Sequence, residues 1–175
     1  MPVWEEQTQK HVTDPRCAAE PVWTVHGIWP TRWGQIAPNY CDPHLKYNHS
    51  ALSPIMEKME QFWPDVEIRG VPDSLWKHEW EKHGTCAVSS PATGLVNQLD
   101  YFTAGCRLAG RNPVTDWLAA AGIQPSDTAR LTTQQVWGAV LAGTGGARPH
   151  IDCVKVEGEV YLSEVRLARP GRALH

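Results

Sequence analysis

The pattern of apolar and polar positions divides the chain into five helical stretches and three short strands. Leu52, Ile55, Met56, Met59 and Phe62 recur at helical spacing around Ser53-Pro54, a cap residue followed by a first-turn proline, and Pro64 ends the run. Asp73 or Ser74 can cap a second helix, which Gly84 is expected to end in the left-handed conformation. Leu95, Val96, Leu99, Phe102 and Cys106 mark a third. Asn112-Pro113 opens a fourth around Val114, Trp117 and Leu118 that stops at Gly122, and a fifth runs from Thr133 to Leu141. Val22 to Trp29 is rich in β-branched and aromatic residues and closes at Pro30, which predicts a strand with His26 on the face of Thr24 and Ile28. Ile151 to Val156 and Val160 to Leu167 alternate apolar and polar residues around Glu157-Gly158-Glu159, the pattern of a hairpin. Residues 1–21 read as a loose lead-in and 31–48 as a long loop. The predicted fold is one α+β domain over residues 1–175, several helices packed on an antiparallel central sheet.

Composition narrows the function classes. A length of 175 residues suits one domain with a real core, and 42% hydrophobic with 20% charged residues is neither disordered nor membrane-like. No apolar run approaches a membrane span, so no membrane partner is expected, and Met1 to Lys10 has no signal-peptide pattern. The formal charge of −3 argues against a strongly basic nucleic-acid binder, yet protonating all eight histidines would turn it to +5. An acidic compartment would then favour an anionic substrate. Five cysteines without a CxxC pair exclude a zinc ribbon, and their odd number leaves a thiol over in the monomer. Asn48-His49-Ser50 is a glycosylation sequon.

The chemistry concentrates in Trp76-Lys77-His78-Glu79-Trp80-Glu81-Lys82-His83. Trp76, Lys77 and Trp80 suit the wall of a core or a groove. On a regular helix Glu79 and His83 share one face, and His78 and Lys82 the next. His78 and His83 are five apart, ~140° around such a helix, so they cannot chelate one ion. No metal or other cofactor is expected. A carboxylate beside an imidazole suits a general acid or base, and a lysine there stabilises an anionic transition state. His26, beside Trp29, is the candidate for a second proton-transfer group. The bland alternative is a solvated helix whose ion pairs are worth only ~0.2–0.5 kcal/mol each.

Two segments carry a resemblance. Trp23-Thr24-Val25-His26-Gly27-Ile28-Trp29-Pro30 and Lys77-His78-Glu79-Trp80-Glu81-Lys82-His83-Gly84-Thr85-Cys86 resemble the active-site segments of the ribonuclease T2 family, acid endoribonucleases of lysosomes, vacuoles and secretions. Weaker similarity runs from about Cys17 through Phe62-Trp63-Pro64-Asp65-Val66 and Ala121-Gly122-Ile123-Gln124-Pro125-Ser126 to Ile151-Asp152-Cys153. The resemblance implies a T2-type fold and a metal-free transesterification of single-stranded RNA through a 2′,3′-cyclic phosphate, with DNA uncut. It implies His83 as general base, His26 as general acid, Glu79 and Lys82 stabilising the pentacoordinate phosphate, and His78 on a phosphate oxygen. Bases would stack on Trp29, with Trp76 near the groove. Cys41 and Cys86 match positions bridged in the family, and related enzymes are often glycosylated near Asn48. A monomer in secretions or the lysosomal or endosomal lumen is expected.

The chain also departs from the family pattern. Thr31 stands where many relatives carry an aspartate that helps read the base. Residues 1–16 lack the usual apolar strand and the cysteine that would partner Cys17; no cysteine follows Cys153, and Cys106 matches no family role. A trimmed or divergent form is therefore expected. Two competing readings follow: an inactive RNA-binding or signalling relative with the same fold, and an interaction protein whose histidine helix is only surface.

Overall fold

The computed structural model describes residues 23–31, 38–65, 71–126 and 128–168. They fall into two compact units, one within residues 24–111 and one formed by Trp23 with residues from 112 onward. The lead-in 1–21, Val22 and Cys17 lie outside the described residues.

In the unit 24–111, the first helix begins earlier than Ser53-Pro54 suggests. A 3-10 turn, His49–Ile55, takes Pro54 inside it and leads into α1, Met56–Phe62. Asn48 is the cap: its side-chain oxygen accepts the Ser50 N–H. Asn48 is itself clamped, its N–H donating to Gln98 Oε1 at 2.9 Å and its carbonyl accepting Gln98 Nε2–H at 2.8 Å.

The second helix, α2, covers residues 74–88 in three parts: an α-helical Ser74–Glu79, a π turn Trp80–Gly84 and a last α turn Thr85–Val88. One expectation holds in position only, with Asp73 the N-cap residue, and one fails. Asp73 precedes the helix at φ 59° without a side-chain cap bond, and Asp65 Oδ1 accepts the Leu75 N–H in its place. Gly84 does not end the helix; its φ of −60° is helical. Its lack of a side chain serves packing instead, because a Cβ there would lie 2.3 Å from Trp80 Cε3. The third helix, α3, is Gln98–Arg111; Leu95 and Val96 precede it, the first buried and the second exposed. Leu52, Met59, Trp63, Leu75, Trp76, Trp80, Tyr101 and Phe102 form the core between these helices.

Val22 to Trp29 was expected as a strand. The described part is extended, with Val25 and Ile28 packed on the core and His26 exposed, but it belongs to no ladder among the described residues. β-branched residues favour extended backbone whatever lies opposite. What lies opposite is a helix end and a tyrosine: Val25 N–H donates to Phe62 O at 2.9 Å, and the Tyr101 hydroxyl donates to Ile28 O at 3.0 Å. The loop from residue 38 is fastened to α2 by the Cys41–Cys86 disulfide.

In the other unit, α4 is Val114–Ala120 and α5 is Thr133–Gly143. Gly122 follows α4 at φ 74° and returns its N–H to Ala119 O, as its place in the sequence predicts. Thr132 and Gln135 form a reciprocal capping box on α5. The hairpin is β1, Pro149–Val156, antiparallel to β2, Glu159–Leu167, with a register shift at Asp152/Cys153. Glu157 and Gly158 both have positive φ, which is what a two-residue turn of matching twist requires. Leu118, Val136, Ala139 and Val140 pack with Trp117, Ile151, Leu162 and Val165 into a second core. The described residues thus form helices with a small two-stranded antiparallel sheet, an α+β fold.

Tyr101→Phe removes the donor to Ile28 O while keeping the buried ring. The expected loss is about 1–2 kcal/mol of unfolding free energy, the cost of orphaning one buried acceptor, measured by denaturant titration.

Candidate active site

Glu79 lies at the centre of the site. Helix α2 carries it inward to 0% exposure, and its two oxygens meet the extended segment 24–31. Oε2 accepts the Trp29 indole N–H at 3.0 Å, and Oε1 lies 3.6 Å from His26 Nε2. A carboxylate at that distance is a partner for the protonated imidazole. The approach requires Gly27, because a Cβ there would lie 1.9 Å from Glu79 Oε2 and 2.5 Å from Trp29 Nε1.

Trp29 also contacts both histidines. His26 meets it edge-on at 5.1 Å between ring centroids, and His83 lies on its other contact at 5.5 Å, tilted by 40°. The His26 side chain is 47% exposed and can reach a ligand, whereas His83 is 8% exposed. Burial, then the charges of Lys82, His78 and His26, push the His83 pKa down to about 4. The same causes, burial first and then Lys82 and His26, lower His78. His83 is therefore neutral and able to accept a proton through most of the acidic range.

The π turn corrects the regular-helix geometry. Its hydrogen bonds span five residues instead of four, so the ~140° separation of His78 and His83 does not apply. The two rings lie near enough that the charge of one bears on the other. Among the described residues no group of three or more metal-ligating side chains is placed to share an ion.

The structure thus brings together His26, Trp29, His78, Glu79, Lys82 and His83. It does not bring Trp76 to a groove. That ring is 5% exposed and its indole N–H donates to Trp63 O at 2.7 Å, so it is a core residue, since apolar neighbours enclose it on α2's inner side. Cys41 and Cys86 are bonded. Cys106 is a buried free thiol, its pKa raised by burial to about 11, and Cys153 is an exposed one. Asn48 is exposed at its helix cap. Sequence reasoning missed two supporting residues. Gly27 carried a signal, since a glycine inside a strand-like run marks close approach of another group. Tyr101, which fixes Ile28 between the two active-site rings of its segment, carried none.

The chain belongs to the ribonuclease T2 family, whose pattern it matches over residues 3–173. It is 35% identical over 161 residues to a ribonuclease T2-like protein of Emericella nidulans, covering 84% of this chain and 38% of that protein. It is 36% identical over 148 residues to ribonuclease S-2 of Pyrus pyrifolia, covering 83% and 63% respectively. Among solved structures it resembles human RNase T2, with a TM-score of 0.72 and 28% identity over 86% of this chain and 73% of that one. It also resembles RNase NT in complex with 5′-AMP, with a TM-score of 0.72 and 26% identity over 83% and 69%. The chain spans 38% to 61% of the length of the first curated relatives it matches.

Two outcomes test the site's construction. Gly27→Ala should lower unfolding free energy by about 1–3 kcal/mol, because the added methyl must displace the Glu79 carboxylate or the Trp29 ring. Acid should weaken the fold through His83. Its folded pKa of about 4 lies below the ordinary 6.5, so the unfolded chain binds a proton there that the folded chain refuses. This contribution to stability is present above pH 6.5 and is lost as pH falls toward 4. Melting temperature should therefore drop across that window less steeply in His83→Phe than in the parent chain.

Proposed function

We propose that the chain is an endoribonuclease that cleaves single-stranded RNA by acid–base transesterification without a metal ion. The observation that carries this reading is the buried Glu79 carboxylate held between Trp29 and His26, with His83 against the same indole. Neutral His83 takes the proton of a ribose 2′-hydroxyl. The 2′-oxygen attacks the adjacent phosphorus, and the bond to the 5′-oxygen breaks. His26, protonated beside Glu79, gives its proton to that leaving oxygen. The products are a 2′,3′-cyclic phosphate and a 5′-hydroxyl, and water opens the ring with the two histidines exchanging roles. Lys82 and Glu79 stabilise the pentacoordinate phosphate and His78 holds one of its oxygens. DNA lacks the nucleophile and stays intact.

Family membership supports this reading, as do solved relatives bound to 5′-AMP, 5′-GMP and 5′-UMP. A depressed His83 pKa supports the base role, since a base must be unprotonated at working pH. We further propose a monomeric glycoprotein, modified at Asn48, in secretions or the lysosomal lumen. The Cys41–Cys86 disulfide, the sequon and an extracellular relative from Solanum lycopersicum support that location. No helix among the described residues is long and apolar enough to cross a membrane.

The test is incubation with single-stranded RNA in EDTA near pH 5 and pH 7, reading cyclic-phosphate ends. Cleavage should persist in EDTA and fall by about 10²–10⁴ in His26→Ala and in His83→Ala. Loss in EDTA would overturn the metal-free mechanism; full activity in both variants would overturn the residue roles. The rate should decline below pH 4 as His83 takes up a proton, and again above neutrality as the general acid loses its own.

A further inference from the structure

We infer that Tyr40 is a stacking platform for a nucleobase of single-stranded RNA beyond the two nucleotides that flank the cleaved phosphate. This rests on the RNA-cleaving reading above. Tyr40 is 58% exposed, a large aromatic ring with more than half of its surface in solvent. Its backbone is the opposite of free. The N–H donates to Lys82 O at 2.9 Å, and the next residue, Cys41, is bonded to Cys86. Both anchors are on α2, the helix of His78, Lys82 and His83. The backbone that carries the ring is therefore fastened to the helix that carries those groups.

The backbone supplies a second argument. Tyr40 has φ 50°, a conformation that glycine adopts readily and a bulky side chain rarely does. Buried packing would normally compensate such strain, but this ring faces water. A tyrosine kept where glycine would fold better fits a residue held for contact with a ligand. A phenol face suits RNA, because every base has a π face and stacking tolerates any sequence. Anchored one residue from a disulfide, the backbone beneath the ring has little further freedom to lose on binding.

Tyr40→Gly separates this role from a structural one, since it removes the ring while relieving the backbone. Cleavage kinetics are measured on an RNA octanucleotide and on a dinucleoside monophosphate, with melting temperature alongside. KM for the octanucleotide should rise about 5- to 20-fold, the size expected for one lost base stack, with kcat unchanged. The dinucleoside monophosphate should be cut as before, the melting temperature should hold or rise, and Tyr40→Trp should retain parental KM. Equal losses on both substrates, or no loss on the octanucleotide, would overturn the platform. Binding of a 2′-deoxy octanucleotide is read independently of cleavage. Equal affinity in the parent chain and Tyr40→Gly sinks the platform; weaker binding in Tyr40→Gly from a parent that cuts no RNA supports it and sinks the cleavage reading alone.

Discussion

The site depends on the burial of one carboxylate. An ionised carboxylate out of water loses several kcal/mol of solvation unless partners replace the lost hydrogen bonds. Glu79 has a charged-acceptor bond from the Trp29 indole and the His26 ring beside its other oxygen. Those partners come from a segment with no strand ladder among the described residues, and the contacts that hold it include Val25 to Phe62, Ile28 to Tyr101, and Glu79 itself. The carboxylate and the segment hold each other. At Gly27 the two are so close that a Cβ there would lie 1.9 Å from Glu79 Oε2.

That mutual dependence explains why polar groups here are arranged across elements distant in sequence. His26 and His83 both contact one indole, that of Trp29. The more exposed histidine faces outward and the more enclosed one is held neutral by burial and neighbouring positive charge. Two imidazoles of the same intrinsic acidity are thereby given different environments, the condition for dividing acid and base work between them.

Much of the fold was legible wherever local chemistry dominates. The hairpin and the stop at Gly122 follow from turn and cap rules that act within a few residues. The failures occurred where tertiary packing decides. Val22 to Trp29 has strand composition, but its described part packs against a helix end. Gly84 has the look of a stop, but Trp80 needs the space it leaves. The site was legible as residue types, because His26, Glu79, Lys82 and His83 are chemically costly to place together without use. Their geometry was not, since a π turn leaves no mark in apolar spacing. Trp76 was misjudged for a related reason: a tryptophan beside charged residues reads equally as groove or core, and only its bond to Trp63 O decides.

The π turn of α2 has a consequence for how this helix tolerates change in length. Relative to an α-helix it accommodates one additional residue within a single turn. Excising one residue between Trp80 and Gly84 as the helix relaxed would leave the phase nearly unchanged, whereas tightening to the ordinary repeat with all five residues kept would rotate everything after the turn by about 100° relative to Glu79. His83 would swing away from the indole, and Cys86 away from Cys41, in a single event. The covalent link and the paired histidines are thus coupled through helical phase. What both require is the winding of this turn, so a change that tightened it without shortening it would move both at once.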